Sequence, residues 1–257
     1  MLAWSADPRE SSLSTDQSNK KQAWDFFRDL HEALNDAAPP AAEGAEMLRS
    51  VVEAARSEPD RGAWRFPEGA YINTLVVPQI SDFLRGNGLT EAQARDSLLS
   101  ESFRAWPKRC SQSPGRAGKY PFDKGLGNSS AKVLERWVAD RPGRPLGGQF
   151  PDLALKSPSP HTALFEAKLF RKGRLRSAQT ALVNDFYQAF FYLGLTRLPA
   201  TPTHPEWNYD YAVLVAYDVT PDAALMQAWD SFDPAIKRSL WDDANIYPMI
   251  YDGTRVC

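Results

Sequence analysis

Apolar positions recur three and four apart over most of the first hundred residues, the spacing of helix faces buried on one side. Trp24, Phe27, Leu30 and Leu34 mark the first stripe, in KQAWDFFRDLHEALNDA, which must end before Pro39-Pro40. A second helix is expected over AAEGAEMLRSVVEAARSE. A third is expected from about Ile72, kinked at Pro78 and stopped by Gly86-Asn87-Gly88. Thr90 stands as the N-cap of a fourth, TEAQARDSLLSESFRAW. Residues 1–20, ahead of these, are polar and are expected to be flexible.

Beyond a Gly/Pro-rich loop over residues 107–128 the pattern changes. SSAKVLERWVADRP carries one more helical stripe, after which GGQFPDLALK reads as a turn and a strand. In TALFEAKLF the period is two: Ala163, Phe165, Ala167 and Leu169 fall on one face, Leu164, Glu166, Lys168 and Phe170 on the other. A long helix follows over SAQTALVNDFYQAFFYLGLTR, with Leu182, Phe186, Ala189 and Leu193 as its apolar stripe. The strand YDYAVLVAYDV, the helix PDAALMQAWDSF and the short strand NIYPMIYDG complete the chain. The order α-β-β-α-β-α-β describes an α/β fold, a mixed sheet flanked by helices. Residues 1–106 read as a helical accessory region without recognisable chemistry, and residues 107–257 as the core.

Charge sharpens this picture. The net charge of the 257-residue chain is only −2, but residues 102–176 hold 16 Lys/Arg against five acids, a local +11 that leaves −13 for the rest. Such asymmetry suits a basic surface facing a polyanion. No apolar run is long enough to span a bilayer, and the N-terminus lacks the order of a secretory signal, so a cytoplasmic protein with no membrane partner is expected. Two cysteines, Cys110 and Cys257, make neither a disulfide framework nor a zinc site.

The candidate chemistry lies inside the basic segment, in QFPDLALKSPSPHTALFEAKLF. Alternation puts Glu166 and Lys168 on one face of an otherwise apolar strand, where polar groups are costly unless used or paired. If residues 151–156 pair antiparallel with 162–170, Asp152 comes alongside Glu166. Two converging carboxylates repel, and a divalent cation relieves the repulsion. Hard oxygen donors suit Mg²⁺, with Mn²⁺ as a substitute. A lysine beside the cation can orient a water for attack on a phosphodiester.

PDLAL…ALFEAKLF resembles the PD-(D/E)xK nuclease superfamily, with its restriction-endonuclease-like fold and α-β-β-β-α-β core. The resemblance spans about residues 128–220. It implies that Asp152, Glu166 and the Ala167 carbonyl hold the metal and that Lys168 is catalytic. Two further positions resemble family features. Glu135, on the helix before the first strand, corresponds to a metal-assisting glutamate, and Gln188 with Tyr192 corresponds to the QxxxY helix of the RecB-like branch, supporting the active site or the strand. The expected function is a Mg²⁺-dependent DNA endonuclease in restriction or another defence against foreign DNA. Lys119, Lys124, Arg136, Arg171, Lys172, Arg174 and Arg176 would hold the DNA backbone. Cutting both strands favours a homodimer, and association with a defence complex is a further expectation. The alternative is a catalytically silent nucleic-acid-binding or assembly protein that keeps the fold.

Other chemistries lack support in the sequence. His31, His161 and His204 share no ligand spacing, and there is no G-x-S-x-G elbow. The glycine-rich GRAGKYPFDKGLGNSS has neither Walker nor G-x-G-x-x-G order.

Overall fold

Eight consecutive buried residues, Tyr211–Asp218, form an interior strand of the sheet. A strand covered on both faces loses the alternation of a half-exposed one and becomes a continuous apolar run, as YAVLVAY shows. The computed structural model describes residues 8–100, 151–171, 177–196 and 209–254. Among these residues lie β1 (Leu98–Ser100), β2 (Leu153–Leu155), β3 (Ala163–Phe170), β4 (Tyr211–Asp218) and β5 (Ile246–Tyr251). They form one sheet in the order β1-β2-β3-β4-β5. β1 pairs antiparallel with β2 and β2 with β3, whereas β3, β4 and β5 are parallel.

Helices cover both faces. α1 (Pro8–Ala37), α2 (Ala41–Arg56), α3 (Pro67–Tyr71), α4 (Val77–Gly86) and α5 (Glu91–Ser97) precede the sheet in the chain. Phe27, Leu30 and Leu34 of α1 pack with Leu48 of α2, Ile80 and Leu84 of α4, and the strand residues Phe165, Val213, Val215, Met249 and Tyr251. Burial of each large side chain contributes roughly 1.5–3 kcal/mol. The regions on either side of residue 106 therefore share one core. On the opposite face, α6 (Ala178–Thr196) and α7 (Ala224–Asp230) bury Leu182, Phe186, Ala189, Leu193, Met226 and Trp229 against Leu214, Ala216 and Ile250. The alternate residues of β4 divide between the two cores as period two requires. No helix among the described residues is long and apolar enough to cross a membrane.

Four local features depart from the sequence reading. The first helix begins at Pro8, so residues 8–20 are helical and not a flexible lead. The third helical stretch begins at Pro67, five residues earlier than expected, and widens into a π-helix over Ile72–Val76. The cause is Pro78: it has no N–H to donate to Thr74, and its ring crowds that carbonyl. The Val77 N–H accordingly bonds five residues back, to the Ile72 carbonyl.

The third departure is at the fourth helix. Thr90 is the expected N-cap and forms a capping box with Gln93, but the helix ends at Ser97 and the chain turns into β1. This strand supplies a partner for β2, with Leu98 opposite Leu155. One helix was not foreseen: α8 (Pro234–Asp242), led by the Asp233 cap and Pro234, packs Trp241 beside Tyr211 and Tyr247. The expected helix over SSAKVLERWVADRP lies outside the described residues.

Candidate functional site

Register decides where the acids meet. Leu153 stands opposite Phe165 and Leu155 opposite Ala163, so one further step of the same antiparallel ladder puts Asp152 opposite Glu166. Pro151 cannot donate to a ladder, and β2 is short. In place of a main-chain partner, the Ala167 N–H donates to Asp152 Oδ2 at 2.8 Å. The Asp152 side chain thus terminates the β2 edge and is fixed against the strand that carries the other polar residues. The expected antiparallel pairing is present over Leu153–Leu155 and Ala163–Phe165, shorter than the 151–156 with 162–170 expected, and it carries Asp152 alongside Glu166.

On β3 the two-residue period brings Glu166 and Lys168 together, and Lys168 Nζ donates to Glu166 Oε1. Glu166 is only 3% exposed. Its second oxygen, Oε2, is buried with no hydrogen-bond partner among the described residues. Asp218, the other fully buried acid of the sheet, makes an instructive contrast. It accepts from the Thr220 N–H and hydroxyl and from the Leu225 and Met226 N–H groups, and so caps the start of α7. One buried carboxylate is saturated by its own turn; the other keeps an oxygen in reserve.

A third acid joins the site from an unexpected direction. Glu68, in the first turn of α3, places Oε1 3.5 Å from Lys168 Nζ. Ala70 and Tyr71 of the same short helix are buried in the core, which anchors the turn that presents Glu68. No acid of the N-terminal region was singled out from the sequence. The available signal was the Phe-Pro-Glu start of a helix, but apolar spacing placed that start five residues later.

Three carboxylates around one ammonium make a site that holds on to positive charge. Burial pushes the Glu166 carboxyl well above its ordinary range and the Asp152 charge adds to this, with Lys168 pulling the other way. Burial alone would lower Lys168, but Glu166, Asp152 and Glu68 outweigh it and hold the ammonium above its ordinary value. Among the described residues, no group of three or more His, Cys, Asp and Glu side chains is spaced to hold a metal ion. The lysine lies between Glu166 and Glu68 and compensates both. The orphaned Glu166 oxygen, the adjacent Asp152 and the excess of carboxylates nevertheless fit a hard divalent cation.

The remaining expected positions divide. Gln188 is half-buried on α6, the helix packed against β3 and β4. Tyr192 lies one turn further along the same helix, with its side chain outside the described residues. Arg171 is exposed directly after β3. Glu135, Lys119, Lys124, Arg136, Lys172, Arg174 and Arg176 lie outside the described residues. The described geometry therefore unites Asp152, Glu166, Ala167 and Lys168, and adds Glu68.

The fold and site define an α/β protein with a mixed sheet and a carboxylate-lysine cluster at the end of β2 and the middle of β3. Neither a protein-family model, nor a curated protein, nor a solved structure matches the chain.

Proposed function

We propose that the protein is a divalent-metal-dependent nuclease acting on DNA, of the PD-(D/E)xK type. The observation that carries this reading is the Asp152-Glu166-Lys168 cluster, with a buried Glu166 oxygen left without a partner. The strand arrangement supports it: β2 and β3 are antiparallel, α6 follows β3, and β4 lies parallel to β3, the order that the resemblance implies for that part of the core.

Asp152, Glu166 and the Ala167 carbonyl would hold Mg²⁺ or Mn²⁺, with Glu68 close enough to assist. The bound ion supplies charge neutralisation at the phosphodiester and lowers the pKa of a water ligand. The chain's own residues do the rest. Asp152 is held in place by the Ala167 N–H, which fixes the spacing of the two carboxylates. Lys168 carries a proton and reaches two carboxylates, so its ammonium can orient a nucleophilic water and stabilise charge on a phosphate oxygen. Buried neighbours on β3 keep the Glu166 carboxylate from being solvated by bulk water. Arg171 and the basic residues of the 102–176 segment supply attraction for the DNA backbone. A role in restriction or another defence against foreign DNA, and a homodimer that cuts both strands, belong to the same proposal.

Plasmid and linear DNA incubated with Mg²⁺ provide the test. Wild type should cut, and Asp152→Asn and Lys168→Ala, each checked for folding by circular dichroism, should not. Absence of cleavage by wild type on any DNA or RNA, with nucleic-acid binding retained, would favour a catalytically silent binding protein.

A further inference from the structure

Two residues before Glu68, at the start of α3, stands a bulky side chain that the fold does not use. Phe66 is 68% exposed, more than any other large hydrophobic residue among those described. A single exposed aromatic residue is ordinary. This one is set apart by its backbone, its flanking cations and its two-residue separation from Glu68.

The backbone is braced on both sides. Arg65 donates from Nε to the Ala55 carbonyl at 3.3 Å and from Nη2 to the Glu58 carbonyl at 3.1 Å, which fastens the turn to the end of α2. The Arg61 guanidinium lies 4.7 Å from the centre of the Trp64 ring and pairs with Glu58 at 2.7 Å. On the other side the Phe66 carbonyl accepts the Ala70 N–H at 2.8 Å and starts α3. Phe66 itself is extended, with φ −111° and ψ 140°. Its ring is thus presented to solvent from a backbone held on both sides. Glu68, which reaches Lys168, is two residues away, at most about 7 Å along the chain. That is of the order of one nucleotide step.

We infer that Phe66 stacks on an unpaired nucleobase next to the phosphate held at Asp152, Glu166 and Lys168, so that the preferred substrate has a single-stranded or frayed segment at the cut. This inference rests on the nuclease reading above. An aromatic face accepts any base, and Arg61 and Arg65, braced within the same turn, add positive charge beside it. A base inside an intact duplex has its faces covered by its neighbours and offers none to Phe66.

Wild type, Phe66→Ala, Phe66→Leu and Phe66→Trp are compared on a single-stranded oligonucleotide and on a blunt duplex of the same sequence. Phe66→Ala should raise KM for the single strand about tenfold. The rise on the duplex should be smaller, Phe66→Trp should restore the wild-type value, and Phe66→Leu should not. Equal effects on the two substrates, full recovery by Phe66→Leu, or a changed oligomeric state of Phe66→Ala with KM unaltered would each overturn the inference. The last result would make Phe66 a protein contact. If wild type cuts neither substrate, the nuclease reading fails on its own. Fluorescence anisotropy of the labelled single strand then decides about Phe66: a tenfold weaker affinity in Phe66→Ala supports stacking, and an unchanged affinity overturns it.

Discussion

The Lys168 ammonium lies 3.5 Å from the Glu68 carboxylate, so a short helix of the N-terminal region touches the polar centre of β3. Because the Glu68 side chain is 43% exposed, its ion pair contributes little to folding. Glu68→Gln should leave stability within about 0.5 kcal/mol of wild type in urea denaturation. If Glu68 assists the metal, cleavage should fall roughly 10- to 100-fold. Glu135→Gln, measured beside it, shows which of the two glutamates serves the site.

Asp152 combines two roles that substitution can separate. Asp152→Asn keeps an acceptor for the Ala167 N–H and should remain close to wild type in thermal stability while losing Mg²⁺ binding, read by isothermal titration. Asp152→Ala removes the acceptor from a buried N–H and should cost a further 1–3 kcal/mol or about that.

Removal of Lys168 leaves Glu166 buried without its cation. Lys168→Met should therefore destabilise the protein by about 3 kcal/mol, in line with breaking a buried pair from one side. Adding Glu166→Gln to that variant removes the stranded charge and should recover part of the loss. A double-mutant cycle in chemical denaturation measures the coupling, and additivity of the two changes would contradict the pairing.

Gly44 on α2 faces the Tyr217 hydroxyl, which donates to the Pro39 carbonyl. A Cβ at residue 44 would overlap that hydroxyl and phenol ring. Gly44→Ala improves helix propensity yet should destabilise by about 1–3 kcal/mol through overpacking. The added Gly44→Ala, Tyr217→Phe change, which removes the hydroxyl, should relieve part of it.

His31 is buried on α1, and its Nε2–H donates to the Ile250 carbonyl at 3.1 Å. Burial pushes its pKa down to about 4, with the hydrogen bond working in the other direction. Between pH 6.5 and about 4 the unfolded chain binds this proton and the folded chain does not. His31 stabilises the fold fully above pH 6.5, and that contribution is lost as pH falls towards 4. By pH 5 the loss should be about 2 kcal/mol. Urea denaturation at pH 7.5 and 5 should show a smaller drop for His31→Gln than for wild type.

Much of this architecture is legible as pattern. The 3.6-residue stripes of α1 and α6 and the alternation of β3 are consequences of local geometry, and they appear where the spacing puts them. The Asp152-Glu166-Lys168 cluster was legible for the same reason, since both the two-residue period and hairpin pairing are short-range rules. Glu68 was not: nothing in Pro67-Glu68-Gly69 distinguishes it from an ordinary first-turn acid. Its role depends on α3 being carried to β3 by contacts between distant parts of the chain. β1 was hidden similarly, because Leu98–Ser100 continues a helical stripe and becomes a strand only when β2 offers an edge to pair with.

The sequence by itself determined the types of the long elements, the breaks at Pro39-Pro40 and Gly88, and the shared face of Glu166 and Lys168, all through spacings of a few residues. Only the tertiary structure decided that the N-terminal helices share a core with the sheet, that Asp152 is tied to the Ala167 N–H, and that Glu68 meets Lys168. These depend on burial and long-range pairing, which fix a side chain's neighbours only after the elements have packed.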